Sequence, residues 1–255
     1  MNSAAYRLLL GAIPWLLIVL AWYAVRASGF VNPVLIPAPH SVAIRFYELL
    51  TREGLLIDAF ASTRRVFVGV AIGIALAVPV GFLLGWFRAA RILADPLVNF
   101  FRALPPIALI PLVIVYFGVD ETAKTVILTY AAFFSGVIVM YEGVGQINPL
   151  FVRVARTLGA SQFEIFSKVI IPLTIPHILT ALRVALGVAW ATLVASELIA
   201  AQRGLGAMIQ NASTYFLLDI IYVGIICIGF VALLMDTILR RVSAHLLTWQ
   251  ERVGT

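Results

Sequence analysis

A helix needs about twenty consecutive apolar residues to cross a bilayer, and this 255-residue chain holds about six stretches that qualify, near residues 8–27, 66–87, 97–118, 125–144, 178–201 and 220–239. Hydrophobic residues make up 62% of the sequence and charged residues 12%, about half the charged share of a soluble domain. Too little polar sequence remains to cover a water-facing surface of that size. The composition therefore predicts an all-α, polytopic membrane protein of about six transmembrane helices in a single domain over residues 1–255, with the lipid bilayer as its solvent.

The first stretch is too long for the apolar core of a signal peptide and no small-residue cleavage site follows it, so it is expected to remain as a helix. With an even number of spans, both termini share one side. That side collects Arg7, Arg88, Arg91, Arg102, Arg153, Arg156, Lys168, Arg183, Arg240, Arg241 and Arg252, against Arg26, Arg45, Arg52, Arg64, Arg65, Lys124 and Arg203 on the other. The positive-inside bias puts the richer side in the cytoplasm. The basic residues are dispersed among short connections, which argues against a nucleic-acid partner for the net charge of +6. After the first span, FVNPVLIPAPHSV carries three prolines and is expected to be extended. From Ser41 to Phe60, apolar residues at helical spacing alternate with charges, which suits a short helix at the membrane surface; an irregular solvated loop is the alternative.

The connection between the fourth and fifth stretches, about residues 146–175, is the most informative. Asn148 followed by Pro149 predicts a helix start. Leu150, Phe151, Val154 and Leu158 then share a face, and Gly159 closes the helix in a left-handed turn. Ser161 and Glu164 have capping-box spacing for a second helix, with Phe163, Phe166 and Ile170 along its apolar face until Pro172 interrupts it. Two short amphipathic helices at a sharp corner suit either an element gripped by another protein or a loop packed on its own bundle.

The run from Arg153 to Pro172 resembles the EAA motif of binding-protein-dependent importer permeases: E-A-A, three residues, Gly, nine residues, then I-x-L-P. Ala155 fills the last Ala position and Gly159 the Gly, and Val169, Ile170, Ile171 and Pro172 follow at the right distance, while Arg153 and Val154 replace the usual Glu and Ala. LIPAPHSV, RALPPIALIPLVIVYFG and ALRVALGVAWATLVASELIAAQRGLG are similar to the nitrate, sulfonate and taurine permeases, and ELIAAQRGLG with the C-terminal LLTWQE is most like the taurine group. The resemblance implies a type I importer architecture and a homodimer with its pathway along the dimer axis. It also implies two copies of a cytoplasmic ABC ATPase, a periplasmic substrate-binding protein, and a small organic anion, taurine or another alkanesulfonate, as cargo. It assigns the ATPase-coupling role to the loop, with Arg153, Ala155, Arg156, Leu158, Gly159, Ala160, Ser161, Glu164 and Pro172 as candidates. Arg153, in place of Glu, is expected to meet an acidic or polar rim on the ATPase. The location implied is the bacterial inner membrane.

No phosphate-cradling loop is present: Lys124-Thr125 comes nearest, but Ala123 stands where glycine is needed. ATP and Mg are therefore expected on a partner subunit, and this chain should not be an enzyme. His40, His177 and His245 are scattered, with no second ligand at metal spacing, and Cys227 lies alone in an apolar run. Glu197, Ser196 and Trp190 are candidate pathway residues of the fifth span; the alternative for Glu197 is a structural ion pair, with Arg203 the nearest cation in sequence. Gly204 and Gly206 read as a flexible turn. An ion-coupled transporter, or a permease of the same family for nitrate or another small solute, is the rival reading.

Overall fold

The computed structural model describes residues 3–29, 32 and 35–247. Among these the secondary structure is helical throughout, without strands. The helices are α1 (Ser3–Ala27), α2 (Pro39–Arg52), α3 (Leu55–Trp86), α4 (Arg88–Ala103), α5 (Pro106–Phe117), α6 (Glu121–Gly145), α7 (Pro149–Thr157), α8 (Gln162–Ile165), α9 (Ile171–Ala200), α10 (Leu205–Thr214) and α11 (Leu218–Leu246). A π-helical turn, Phe166–Ile170, joins α8 to α9. Part of the proline-rich run at 30–34 and the end of the C-terminal run, 248–251, with Arg252, lie outside the described residues.

The core is built on a seam between α3 and α6. Gly69, Gly73, Ala77, Gly81 and Gly85 recur every four residues on one face of α3, a small-residue stripe of the kind that lets membrane helices approach closely. A Cβ added at Gly69 would stand 2.4 Å from Leu128, at Gly73 2.6 Å from Ala132, at Gly81 2.3 Å from Met140 and at Gly85 2.5 Å from Val144. Both sequences advance together along this seam, so α3 and α6 are parallel. The chain leaving α3 at one end of the bundle must therefore return to the other end before α6 begins, and only α4 and α5 lie between.

That return crossing is bent by 91°. The expected straight span over 97–118 is instead two helices broken at Leu104-Pro105. Pro105 and Pro106 lack the N–H groups that would continue the helix, and the residue before a proline is pushed out of the helical region; Leu104 is accordingly extended at φ −72°, ψ 119°. Among the described residues, five single helices and this bent pair satisfy the length and hydropathy of six spans.

Two other expectations need correction. The surface helix expected over Ser41 to Phe60 ends at Arg52; Gly54, at φ +80°, turns the chain, and α3 begins at Leu55 rather than near Val66. Nor does Pro172 stop the second hairpin helix. The π-turn closes with the Ile171 N–H donating to the Phe166 carbonyl, and the widened register carries the helix past a residue with no donor. Residues Gln162–Ile199 thus form one continuous span. This span runs antiparallel to α6, for His177 packs on Gly143 near one end while Ser196 and Lys124 line a common niche near the other.

Candidate functional site

The α7–α8 hairpin stands at the end of the bundle where α3 and α6 finish. The Asn148 side chain accepts from the Leu150 N–H at 2.9 Å, with Pro149 in the first turn. Gly159 adopts φ +81°, a conformation that favours glycine. Ser161 and Glu164 form the reciprocal capping box, and Lys168 Nζ donates to Glu164 at 3.0 Å.

The faces of the hairpin have different fates. Val152, Ala155, Ala160 and Phe166 pack on the main core cluster, while Ile165 and Ile170 are buried in it. Phe163, read as sharing one apolar face with Phe166 and Ile170, is parted from them and is 78% exposed; Leu158, at the corner, is 81% exposed, and Leu150, Phe151 and Val154 are also exposed. Five large apolar side chains therefore project from one end of the chain beyond its own packing. A third face, carrying Arg153 and Arg156, lines a cavity of about 620 Å³ together with Trp86, Val144 and Gln162. Pro172 lies inside the first turn of α9.

At the far end, Glu197 is 1% exposed and Arg65 7%. Arg65 Nη1 donates to Glu197 Oε1 at 2.5 Å, and its Nε and Nη2 reach Glu121 at 2.7 and 2.6 Å. Lys124 Nζ donates to Glu121 at 3.0 Å. The partner of Glu197 is thus Arg65; Arg203 contributes only its carbonyl, which accepts from Arg65 Nη1 at 2.7 Å. Three consecutive backbone N–H groups entering α10 complete the cluster. Gly204 donates to Asp58 at 3.0 Å, Leu205 to Ser62 Oγ at 2.9 Å and Gly206 to Glu197 Oε2 at 2.9 Å. A Cβ on Gly204 would stand 2.4 Å from Glu197 Oε1, so this turn is a carboxylate cradle where sequence reasoning saw only flexibility.

The candidate pathway residues are all inside the packed chain. Ser196 donates to the Leu193 carbonyl, and the Trp190 indole N–H is buried with no acceptor among the described residues. Beside the ionic cluster opens a cavity of about 460 Å³ lined by Arg64, Arg65, Lys124, Arg203, Asp120 and Glu121 among others. Among the described residues no group of three His, Cys, Asp or Glu is placed to hold a metal.

Residues 69–248 match the family described as binding-protein-dependent transport system inner membrane component. The chain is 44% identical to a probable ABC transporter permease protein of Brucella abortus (strain 2308), over 99% of this chain and 100% of that one. It is 34% identical to the taurine transport system permease protein TauC of Escherichia coli (strain K12), over 98% of this chain and 92% of that one. Among solved structures, the crystal structure of an amino acid ABC transporter superposes with a TM-score of 0.63 at 17% identity, covering 80% of this chain and 98% of that one. That likeness concerns the fold alone.

Proposed function

We propose a function from one premise: the chain belongs to the family of binding-protein-dependent transport system inner membrane components and is the permease of an ABC importer. Two copies of the chain form the transmembrane unit. Two copies of a cytoplasmic ABC ATPase, which bind ATP and Mg, grip the two hairpins, and a periplasmic binding protein delivers cargo to the far end. The hairpin end and both termini are cytoplasmic, and the membrane is the bacterial inner membrane.

The observation that carries this reading is the exposed apolar face of Leu150, Phe151, Val154, Leu158 and Phe163, since contiguous apolar surface outside lipid marks a contact with another macromolecule. Transmission follows from the covalent continuity of the span. Because the helix runs unbroken from Gln162 to Ile199, a displacement at the hairpin moves α9 as a rod whose other end carries Glu197. Glu197 is tied to α3 through Arg65 and to α10 through Gly206. ATPase closure thereby shifts the balance between inward-open and outward-open states, and the permease itself makes no covalent change.

The cargo in this reading is a small organic anion, taurine or another alkanesulfonate. Supporting it are the taurine permease among the relatives and Arg64 and Arg203, exposed at the far-end cavity, where cations raise the local concentration of anions. The test is ATP-driven uptake in proteoliposomes holding the permease, its ATPase and its binding protein. Accumulation of labelled taurine, competed by alkanesulfonates, is expected; accumulation of sugars or cations alone would overturn the assignment.

A further inference from the structure

The cavity of about 620 Å³ beneath the hairpin is lined by the end of α3 (Gly85, Trp86, Phe87), the end of α6 (Val144, Ile147) and the hairpin's own Arg153, Arg156 and Gln162. Arg153 and Arg156 lie three residues apart on one side of α7, with Cβ atoms about 5–6 Å apart as helical neighbours. Arg156 points well away from the exposed apolar face, about 120–160° round the helix from Leu150, Val154 and Leu158, whereas Arg153 stands at its edge, about 60° from Leu150; both side chains are exposed at the cavity. Neither arginine has an ion pair or side-chain hydrogen bond among the described residues, and no acidic side chain lines the cavity. The Trp86 indole N–H, a donor only, is also without an acceptor among them. By contrast, Arg65 and Lys124 at the far end are satisfied by Glu121 and Glu197.

We propose that this cavity is a binding site for a tetrahedral oxyanion, a phosphate or sulfonate group held by the two guanidinium groups of Arg153 and Arg156 with Trp86 as a further donor. Planar guanidinium forks match such oxyanions in two-point geometry, and the absence of a carboxylate leaves both forks available. The cavity sits where the two spans α3 and α6 end, so the group can belong to an anionic lipid or to a free small anion. Either source bridges the hairpin to the end of α3 and stabilises the hairpin in its present position by mass action.

The test is thermal unfolding of the full chain, followed by tryptophan fluorescence at constant ionic strength. Two probes are used: sodium phosphate in neutral detergent, and phosphatidylglycerol against phosphatidylcholine in nanodiscs. A rise in midpoint of about 2–4 °C is expected for phosphatidylglycerol alone if the source is lipid, and for both probes if a free anion suffices. In either case the rise is lost in Arg153→Gln/Arg156→Gln, reduced in Arg156→Gln, and kept in Arg64→Gln/Arg203→Gln. Retention of phosphatidylglycerol by native mass spectrometry gives a second readout that does not depend on unfolding. No rise with either probe, or an equal rise in the Arg153/Arg156 variants, would overturn the proposal.

Discussion

Glu197 is the residue on which the far end depends. A carboxylate with 1% exposure is tolerable only because Arg65, Ser62 and the Gly206 N–H surround it. Glu197→Ala leaves Arg65 with half its counter-charge and the α10 turn without one of its three anchors, and breaking a buried pair in this way destabilises by about 3–5 kcal/mol. Glu121→Ala should cost less, because Glu121 is half exposed and solvent can take its place. Thermal unfolding of the two variants in one detergent checks this order; equal losses would mean that the Arg65–Glu197 contact is not the core of the cluster. Gly206→Ala should behave like Glu197→Ala, since its Cβ would press against Glu197 Cβ at 2.7 Å. The sequence showed Glu197 as an ionisable group in an apolar span, but not its partner: Arg65 is separated from it by 132 positions and no local spacing links them. The glycines of the α10 turn were legible as a turn, not as the space the carboxylate occupies.

At the level of elements, the short-range chemistry was legible and the long-range packing was not. The Asn148 cap, the left-handed Gly159 and the Ser161–Glu164 capping box stand where residue chemistry put them, because each depends only on atoms a few positions away. The break at Leu104 was signalled by Pro105-Pro106, yet apolar continuity over 97–118 concealed it. Pro172 looked like a stop because a π-turn cannot be read from periodicity of 3.6. The seam at 69, 73, 77, 81 and 85 was also open to reading, and fixed four-residue spacing was the signal. It yields a test. Gly73→Leu should abolish recovery of folded, monodisperse protein, since even a Cβ there would lie 2.6 Å from Ala132. Gly229→Leu, on α11 with open space around it, should be recovered like the parent. Equal recovery of both would remove the seam as the core of the fold.

For the whole molecule, parallel α3 and α6 require α4 and α5 to carry the chain across the membrane. Single cysteines at Asp120 and Arg88, in a Cys227→Ser background, should therefore label on opposite sides with an impermeant thiol reagent, Asp120 from outside and Arg88 only after permeabilisation. Labelling of both from outside would make the bent pair a re-entrant loop and put the termini on opposite sides. Composition alone had already limited the chain to a membrane bundle; what it left open was which side chains stay outside the bundle's own packing, and the projecting hairpin shows these to include Leu158 and Phe163. The most direct measurement is copurification of the cognate ATPase with the parent chain and with Leu158→Asp, Phe163→Asp and Gly159→Val. Gly159→Val forces a β-branched residue into the φ +81° turn, and the aspartates place charge on the exposed apolar face while the spans stay intact. The account predicts that all three variants insert and dimerise yet lose ATPase retention by at least tenfold; full retention in all three would contradict it.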